Sequence, residues 1–159
     1  MSCYLFTWHT YGSWLPDRPR GYVHWERGLS PPNAALAACY KEQQKESTLN
    51  LSLQQQELII DEILIAARHQ CFRLHAVACE GSHVHVLASW KDKRPATALR
   101  RSLRHSITQR LNQLGKRSWF SRGGDLKRVR TQQHFDHLYH RYLPSHSGMK
   151  WNIEKGLYQ

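Results

Sequence analysis

Phe72-Arg73-Leu74-His75-Ala76-Val77-Ala78-Cys79-Glu80-Gly81-Ser82-His83-Val84-His85-Val86-Leu87-Ala88-Ser89-Trp90 is the stretch on which the fold turns. Residues 72–79 alternate in character and are rich in residues that suit a pleated surface, so they read as a strand. Glu80-Gly81-Ser82 is short and contains a glycine, which suits a turn. Residues 83–90 resume the alternation, so the whole stretch predicts an antiparallel hairpin. Positions i and i+2 of a strand share a face. His83 and His85 therefore point the same way, while Val84 and Val86 point to the other side and into a core.

Working outward, Leu51–Gln70 predicts a helix. Leu58, Ile59, Ile63, Leu64 and Ala67 recur at spacings of three and four and form one apolar face. Pro95–Leu114 predicts a second helix, with Leu99, Leu103, Ile107, Leu111 and Leu114 on its stripe, Pro95 in its first turn and Gly115 beyond its end. Upstream, Tyr4–His9 is aromatic and β-branched and reads as a first strand. It leads into a Gly- and Pro-containing loop, Tyr11–Gly21, which aromatic residues mark as ordered. Residues 30–50 read as a loop with one short helix. Trp119–Arg130 predicts a turn and a short strand. Thr131 suits the cap of a third helix through Phe135, Leu138 and Tyr142, and Pro144 is expected to end it. The order strand, helix, hairpin, helix, strand, helix predicts a single α+β domain over residues 1–159. A ferredoxin-like antiparallel sheet with helices packed on one face is the leading topology.

The chain has 159 residues, 40% of them hydrophobic, and a formal net charge of +11. That size and apolar content suit a folded domain. No apolar run of about 18 residues is present, so no membrane span is expected, and no signal peptide is evident. A cytoplasmic protein is the default. Cys3, Cys39, Cys71 and Cys79 form no C-x-x-C pair and are expected as reduced, mostly buried thiols. The positive charge points to phosphate backbones as partners. Arg100, Arg101, Arg104 and Arg110 on the second helix, Lys116 and Arg117 after it, and Arg122, Lys127, Arg128 and Arg130 beyond are the candidate phosphate contacts. Trp90, Trp119 and Phe120 lie among them, and aromatic faces beside cations suit the unpaired bases of a single strand.

An H-x-H pair is weak evidence by itself, since 11 histidines give about one such match by chance. Its place at the start of a cleanly alternating strand favours shared ligation of one cation over two ordinary surface histidines. Two ligands do not complete a catalytic site. His134, His137, His140 and His146 all fall in or near the last helix. Tyr142 precedes His146 by four residues, so the two share a face if the helix continues. Tyr139 is an equal candidate nucleophile on composition.

Taken together, these stretches resemble the IS200-like single-tyrosine (HUH) transposases, including the REP-associated subgroup. The resemblance rests on His83-Val84-His85 in its hairpin, on Thr7-Trp8-His9-Thr10-Tyr11-Gly12-Ser13-Trp14-Leu15-Pro16, on Trp119-Phe120-Ser121-Arg122-Gly123-Gly124, and on a Tyr-bearing last helix at the expected distance. It implies a ferredoxin-like fold, often an intertwined homodimer, and Mg2+ or Mn2+ as cofactor. It also implies cleavage of single-stranded or hairpin DNA that leaves a 5′-phosphotyrosine and a free 3′-hydroxyl. By position, Tyr142 matches the nucleophile and His83 and His85 match two metal ligands. The third ligand of the family, often Asn or Gln, falls at His146, where this sequence departs from the pattern with Leu143-Pro144-Ser145-His146. The alternative is a non-catalytic, domesticated protein that binds single-stranded or hairpin DNA. A replication initiator usually needs a longer chain, and an RNA-binding ferredoxin-like domain would carry an aromatic strand motif that this sequence lacks.

Overall fold

The computed structural model describes residues 2–24 and 26–159; Met1 and Trp25 lie outside the described residues. In chain order the elements are β1 (Ser2–His9), β2 (Tyr22–His24), β3 (Gly28–Ser30), α1 (Ala34–Glu42), α2 (Leu53–His69), β4 (Arg73–Glu80), β5 (His83–Trp90), α3 (Ala96–Leu111), β6 (Asp125–Arg128), α4 (Gln132–His137), β7 (Lys150–Asn152) and β8 (Gly156–Tyr158). The hairpin forms as expected, with Glu80 opposite His83 and Ala78 opposite His85. α2 starts where a capping box satisfies its first backbone donors: Ser52 accepts from the Gln55 N–H and Gln55 reaches back to the Ser52 N–H. α3 is shorter than its periodicity predicts. Pro95 is its N-cap residue, with extended backbone, and residues 112–114 tighten into a 3-10 turn ahead of Gly115.

The main sheet is antiparallel, in the order β6-β1-β5-β4-β7-β8. β5 lies between β1 and β4, which α2 connects, and β1 lies between β5 and β6, which α3 connects. These two interleaved crossovers are the ferredoxin-like arrangement. β7 and β8 extend the sheet beyond β4. Their three-residue runs are too short to show an alternation, which is why the sequence does not announce them. The same holds for the separate β2–β3 hairpin.

Alternation along β5 divides the residues between two faces. Val84, Val86, Ala88 and Trp90 enter the larger core with Phe6 and Trp8 of β1, Ile59, Ile60 and Ile63 of α2, and Leu99, Leu103, Ile107 and Leu111 of α3. Ile59, Ile60 and Ile63 have no exposed surface, and each contributes about 1.5–3 kcal/mol of apolar burial. Leu87, with Leu5, Ala76 and Ala78, meets a second core on the opposite face, formed with Leu138, Tyr139 and Leu143. So α2 and α3 share one face, and the last helical segment covers the other. The apolar residues of that segment have their own small patch of sheet to cover, because Leu5, Ala76, Ala78 and Leu87 all point away from α2 and α3.

Pro144 does not end this segment. α4 passes into a π turn at Leu138–Tyr142 and then a 3-10 turn at Leu143–Ser145. In an α-helix a proline ring would clash with the carbonyl four residues earlier. The wider turn, in which the Leu143 N–H reaches back to the Leu138 carbonyl, relieves that crowding and carries the chain on to His146. The four cysteines are free, as expected; Cys79 is buried, but Cys39 and Cys71 are exposed.

Candidate metal and nucleophile site

The site lies between β5, β1 and the end of the last helical segment. β1 and β5 pair with Thr7 opposite His85 and His9 opposite His83. Directly opposed residues share a face, so two neighbouring strands deliver Thr7, His9, His83 and His85 to the side away from α2 and α3. His85 and His146 are buried and His83 is half-buried. One ring nitrogen from each of His83, His85 and His146 lies within 4.8 Å of the others. Nitrogens bound to one cation at 2.0–2.1 Å stand about 3–3.5 Å apart, so small rotations of the three rings close the set.

Hydrogen bonds fix the tautomers of two of these rings. His146 Nδ1 faces two carbonyl oxygens, Tyr142 O at 3.0 Å and Leu143 O at 3.2 Å. Carbonyls only accept, so Nδ1 carries the proton and Nε2 keeps its lone pair. His85 Nδ1 lies 2.8 Å from Thr7 Oγ1, and its Nε2 lies 3.2 Å from the Tyr142 hydroxyl. The tautomer that satisfies both has Nδ1–H donating to Thr7 and Nε2 accepting from Tyr142. His83 Nδ1 pairs with Ser82 Oγ at 2.8 Å, and its Nε2 stands 3.9 Å from Glu80 Oε2. Such outer partners fix ring orientation at metal centres.

Burial and the neighbouring His83, His146 and His9 depress the His85 pKa to about 2. Burial also lowers His83, against the pull of Glu80. Neutral imidazole is the form that binds a metal. The Tyr142 phenol is pushed above its ordinary value, by burial first and then by Glu80, with Arg20 opposing and Asp125 adding to the rise. Left to the protein alone, this phenol is a weaker nucleophile than free tyrosine.

Tyr142 and Tyr139 separate clearly. Tyr139 is buried against the sheet and stacks on Phe135, with ring centroids 5.7 Å apart. Tyr142 is 36% exposed and its hydroxyl reaches the histidines. The other histidines of the last helix, His134, His137 and His140, are outside the cluster.

The expected phosphate contacts divide into two groups. Arg101, Lys116, Arg122, Lys127, Arg128 and Arg130 are exposed. Arg100 and Arg104 instead donate to the carbonyls of Gly124 and Phe120, tying α3 to the loop before β6. Arg110 donates to Gln113, and Arg117 donates to the Ser47 carbonyl beside Glu46. α3 also lies across the sheet from the histidines, so its arginines are not part of that cluster. Lys127 pairs opposite Leu5 and Asp125 opposite Thr7, which places both on the site face. Gly124 holds the loop close: φ is +119°, and a Cβ there would stand 2.5 Å from the Thr7 carbonyl oxygen. The aromatic residues expected to stack on bases are core residues, with Trp90, Trp119 and Phe120 all at most 6% exposed. Thr7, His9, Ser82 and Glu80 were not singled out from the sequence. The alternation of β1 could have flagged Thr7 and His9, but their meeting with the H-x-H pair depends on strand pairing.

Away from the cluster, His75 is buried at a register shift in β4, with Nε2 2.8 Å from Ser89 Oγ. Burial, and then the Arg73 charge, lower its pKa from 6.5 to about 4. Below pH 6.5 the unfolded chain takes up a proton that the folded state refuses until about pH 4. Stability from this group is thus full above that window and falls as the pH drops through it. In chelator, the urea midpoint should fall between pH 6.5 and 4, and His75→Gln should fall less. Parallel curves for the two proteins would remove His75 as a cause.

A ferredoxin-like sheet bearing three converging histidines and a tyrosine is thus the class of protein that fold and site define. No family model matches the sequence, and no curated protein matches it. Among solved structures, the fold is similar to that of a REP-associated tyrosine transposase bound to a REP hairpin, with a TM-score of 0.50 and 11% sequence identity. The likeness covers 87% of this chain and 62% of the other, so this chain spans less than two thirds of its neighbour's length. At that identity the likeness is one of fold. No helix among the described residues is long and apolar enough to cross a membrane.

Proposed function

We propose that this protein is a metal-dependent transposase of the HUH type, cutting and rejoining single-stranded DNA through Tyr142. One observation carries the reading: His83, His85 and His146 meet within 4.8 Å, and the Tyr142 hydroxyl lies 3.2 Å from one of them. Tyr142 stands half-exposed beside three lone-pair donors, and burial raises the cost of ionising its phenol. That placement suits a nucleophile that a cation activates.

His83, His85 and His146 would hold a divalent cation, Mg2+ or Mn2+ by the resemblance. When bound, such a cation supplies positive charge that stabilises a phenolate and the charge building on a phosphodiester oxygen. The Tyr142 oxygen attacks phosphorus and forms a new O–P bond. The bond from phosphorus to the 3′-oxygen breaks, the phenol proton leaves to water, and the 3′-oxygen takes up a proton. One phosphodiester replaces another, so rejoining needs no nucleotide cofactor. One chain already brings all four side chains together. A homodimer is the assembly we propose from the resemblance.

The direct test is incubation of the protein with short strands bearing hairpins and magnesium, followed by a denaturing gel. A covalent protein–DNA adduct is expected; its absence with every strand leaves the non-catalytic binding reading as the better one. Binding itself should be steeply salt-dependent, because the +11 charge acts by releasing condensed counterions. Five or six phosphate contacts on a single strand predict a fall of about 100- to 300-fold between about 50 and 200 mM salt. Equal and salt-insensitive binding to single strands and duplex would count against it.

A further inference from the structure

The loop that joins β1 to β2 is built against the histidine site. Thr10 is fully buried; its N–H donates to the Ser82 carbonyl at 2.9 Å and its hydroxyl to the Leu49 carbonyl at 2.8 Å. The Ser13 hydroxyl also donates to the Ser82 carbonyl, at 2.9 Å. Ser82 immediately precedes His83, so the loop is pinned to the turn that carries the first ligand. Farther along, the Gly21 N–H closes onto the Arg18 carbonyl at 2.8 Å, with Gly21 at φ +76°. Only glycine adopts that backbone freely, and a Cβ there would overlap the Ser30 carbonyl.

A stack of rings rises from the site along this loop. The His9 ring stands 6.2 Å from His83, the Trp14 ring packs 3.8 Å from His9, and the Arg18 guanidinium lies 3.7 Å over Trp14. Trp14 is 45% exposed. No hydrogen bond or ion pair engages the Arg18 guanidinium among the described residues. Arg18 is close enough to act on His9 and His83, and Arg20 close enough to act on Tyr142. Trp14 keeps exposed surface at the end of this stack, and the Arg18 guanidinium, held over the indole, keeps its N–H edge open beside the histidine site.

We propose that Trp14 and Arg18 form a nucleotide subsite that seats the unpaired nucleotide next to the bond cut at Tyr142, its base against the exposed part of the stack and its phosphate on Arg18. This rests on the single-strand reading above. Aromatic and guanidinium faces stack on any base, but only when the base is free of a duplex. The planar guanidinium also matches phosphate oxygens two at a time. With Trp90, Trp119 and Phe120 buried, the Arg18 guanidinium backed by Trp14 takes the stacking role that the sequence had suggested for them.

Fluorescence anisotropy with a labelled single-stranded oligonucleotide, in chelator, tests the subsite without requiring cleavage. Trp14→Ala should weaken binding by about 5- to 100-fold, the effect of losing the platform for one stacked base, because Trp14 holds the Arg18 guanidinium in place, while Trp14→Phe should stay within a few-fold of wild type. Arg18→Gln should weaken binding and also flatten the plot of log affinity against log salt by about 0.7, the value of one phosphate on a single strand. A merely structural residue would not change that slope. Duplex binding should be unaffected by either change. Wild-type affinity and slope in both Trp14→Ala and Arg18→Gln overturn the subsite. If the wild type binds strands with this dependence yet forms no adduct, the cleavage reading fails and the subsite stands. If it binds no strand, both fail.

Discussion

Tyr142→Phe is expected to form no covalent DNA adduct, a loss of more than about 10^3-fold, the scale of removing a covalent nucleophile. The change removes one oxygen. It breaks the bond from the Tyr142 hydroxyl to His85 Nε2 and leaves the ring, which is 36% exposed, in place. Stability should fall by no more than about 1 kcal/mol, the net worth of one hydrogen bond, and strand binding should persist. Tyr139→Phe is the control that separates chemistry from packing. Tyr139 is buried among Leu138, Leu143 and Phe135 and has no part in the cluster. It should retain adduct formation near the wild-type rate. The reverse result would move the nucleophile one turn back along the helix and would contradict the geometry of the π turn. The phenol is held above its ordinary pKa by burial and Glu80, so wild-type activity should also depend on added cation. Adduct formation at an undiminished rate in chelator would rule out cation activation of Tyr142.

Replacing His83 or His85 with Ala should abolish cleavage and remove most of the divalent-cation binding seen by calorimetry, while strand affinity in chelator stays within a few-fold. The histidines stand on β5 with hydrophobic neighbours pointing to the opposite face, so neither substitution opens the larger core. His85→Ala should have the greater effect. It takes away a deeply buried imidazole that burial keeps neutral, with its pKa held down to about 2. It also strands the Thr7 hydroxyl, whose partner is His85 Nδ1. Loss of one protein ligand or its outer partner commonly costs 10- to 100-fold or more in metal affinity. His146→Ala decides the third position: it should weaken the cation as the other two do. His146→Asn, which restores the side chain the resembling family often carries there, should recover part of it. A His83→Ala protein that cuts at the wild-type rate with magnesium would show that these histidines hold no catalytic metal.

Sequence by itself determined the hairpin, the two amphipathic helices, the shared face of His83 and His85, and the excess of positive charge. Each is a local or compositional property. Alternation along residues 83–90 assigns faces whatever the strand pairs with, and the three- and four-residue spacing in α2 and α3 forms an apolar stripe before anything packs on it. The motif that placed Tyr142 and His146 near one another was legible as spacing, but Pro144 argued against the continuous turn that spacing required. The structure resolves this with a π turn that makes room for the Pro144 ring while Leu138, Tyr139 and Leu143 pack on the sheet. Only the fold could show that Thr7 and His9 stand opposite the H-x-H pair, since strand register joins residues far apart in the chain, 78 positions for Thr7 and His85. Only the fold could show that Trp90, Trp119 and Phe120 are interior while Trp14 is not. Aromatic residues between basic ones look alike in sequence whether they line a core or a surface, because burial is decided by which neighbours arrive from elsewhere in the chain. The same holds for arginines: Arg100, Arg104 and Arg117 are spent on loop carbonyls, and only long-range contacts reveal which cations are left for a partner.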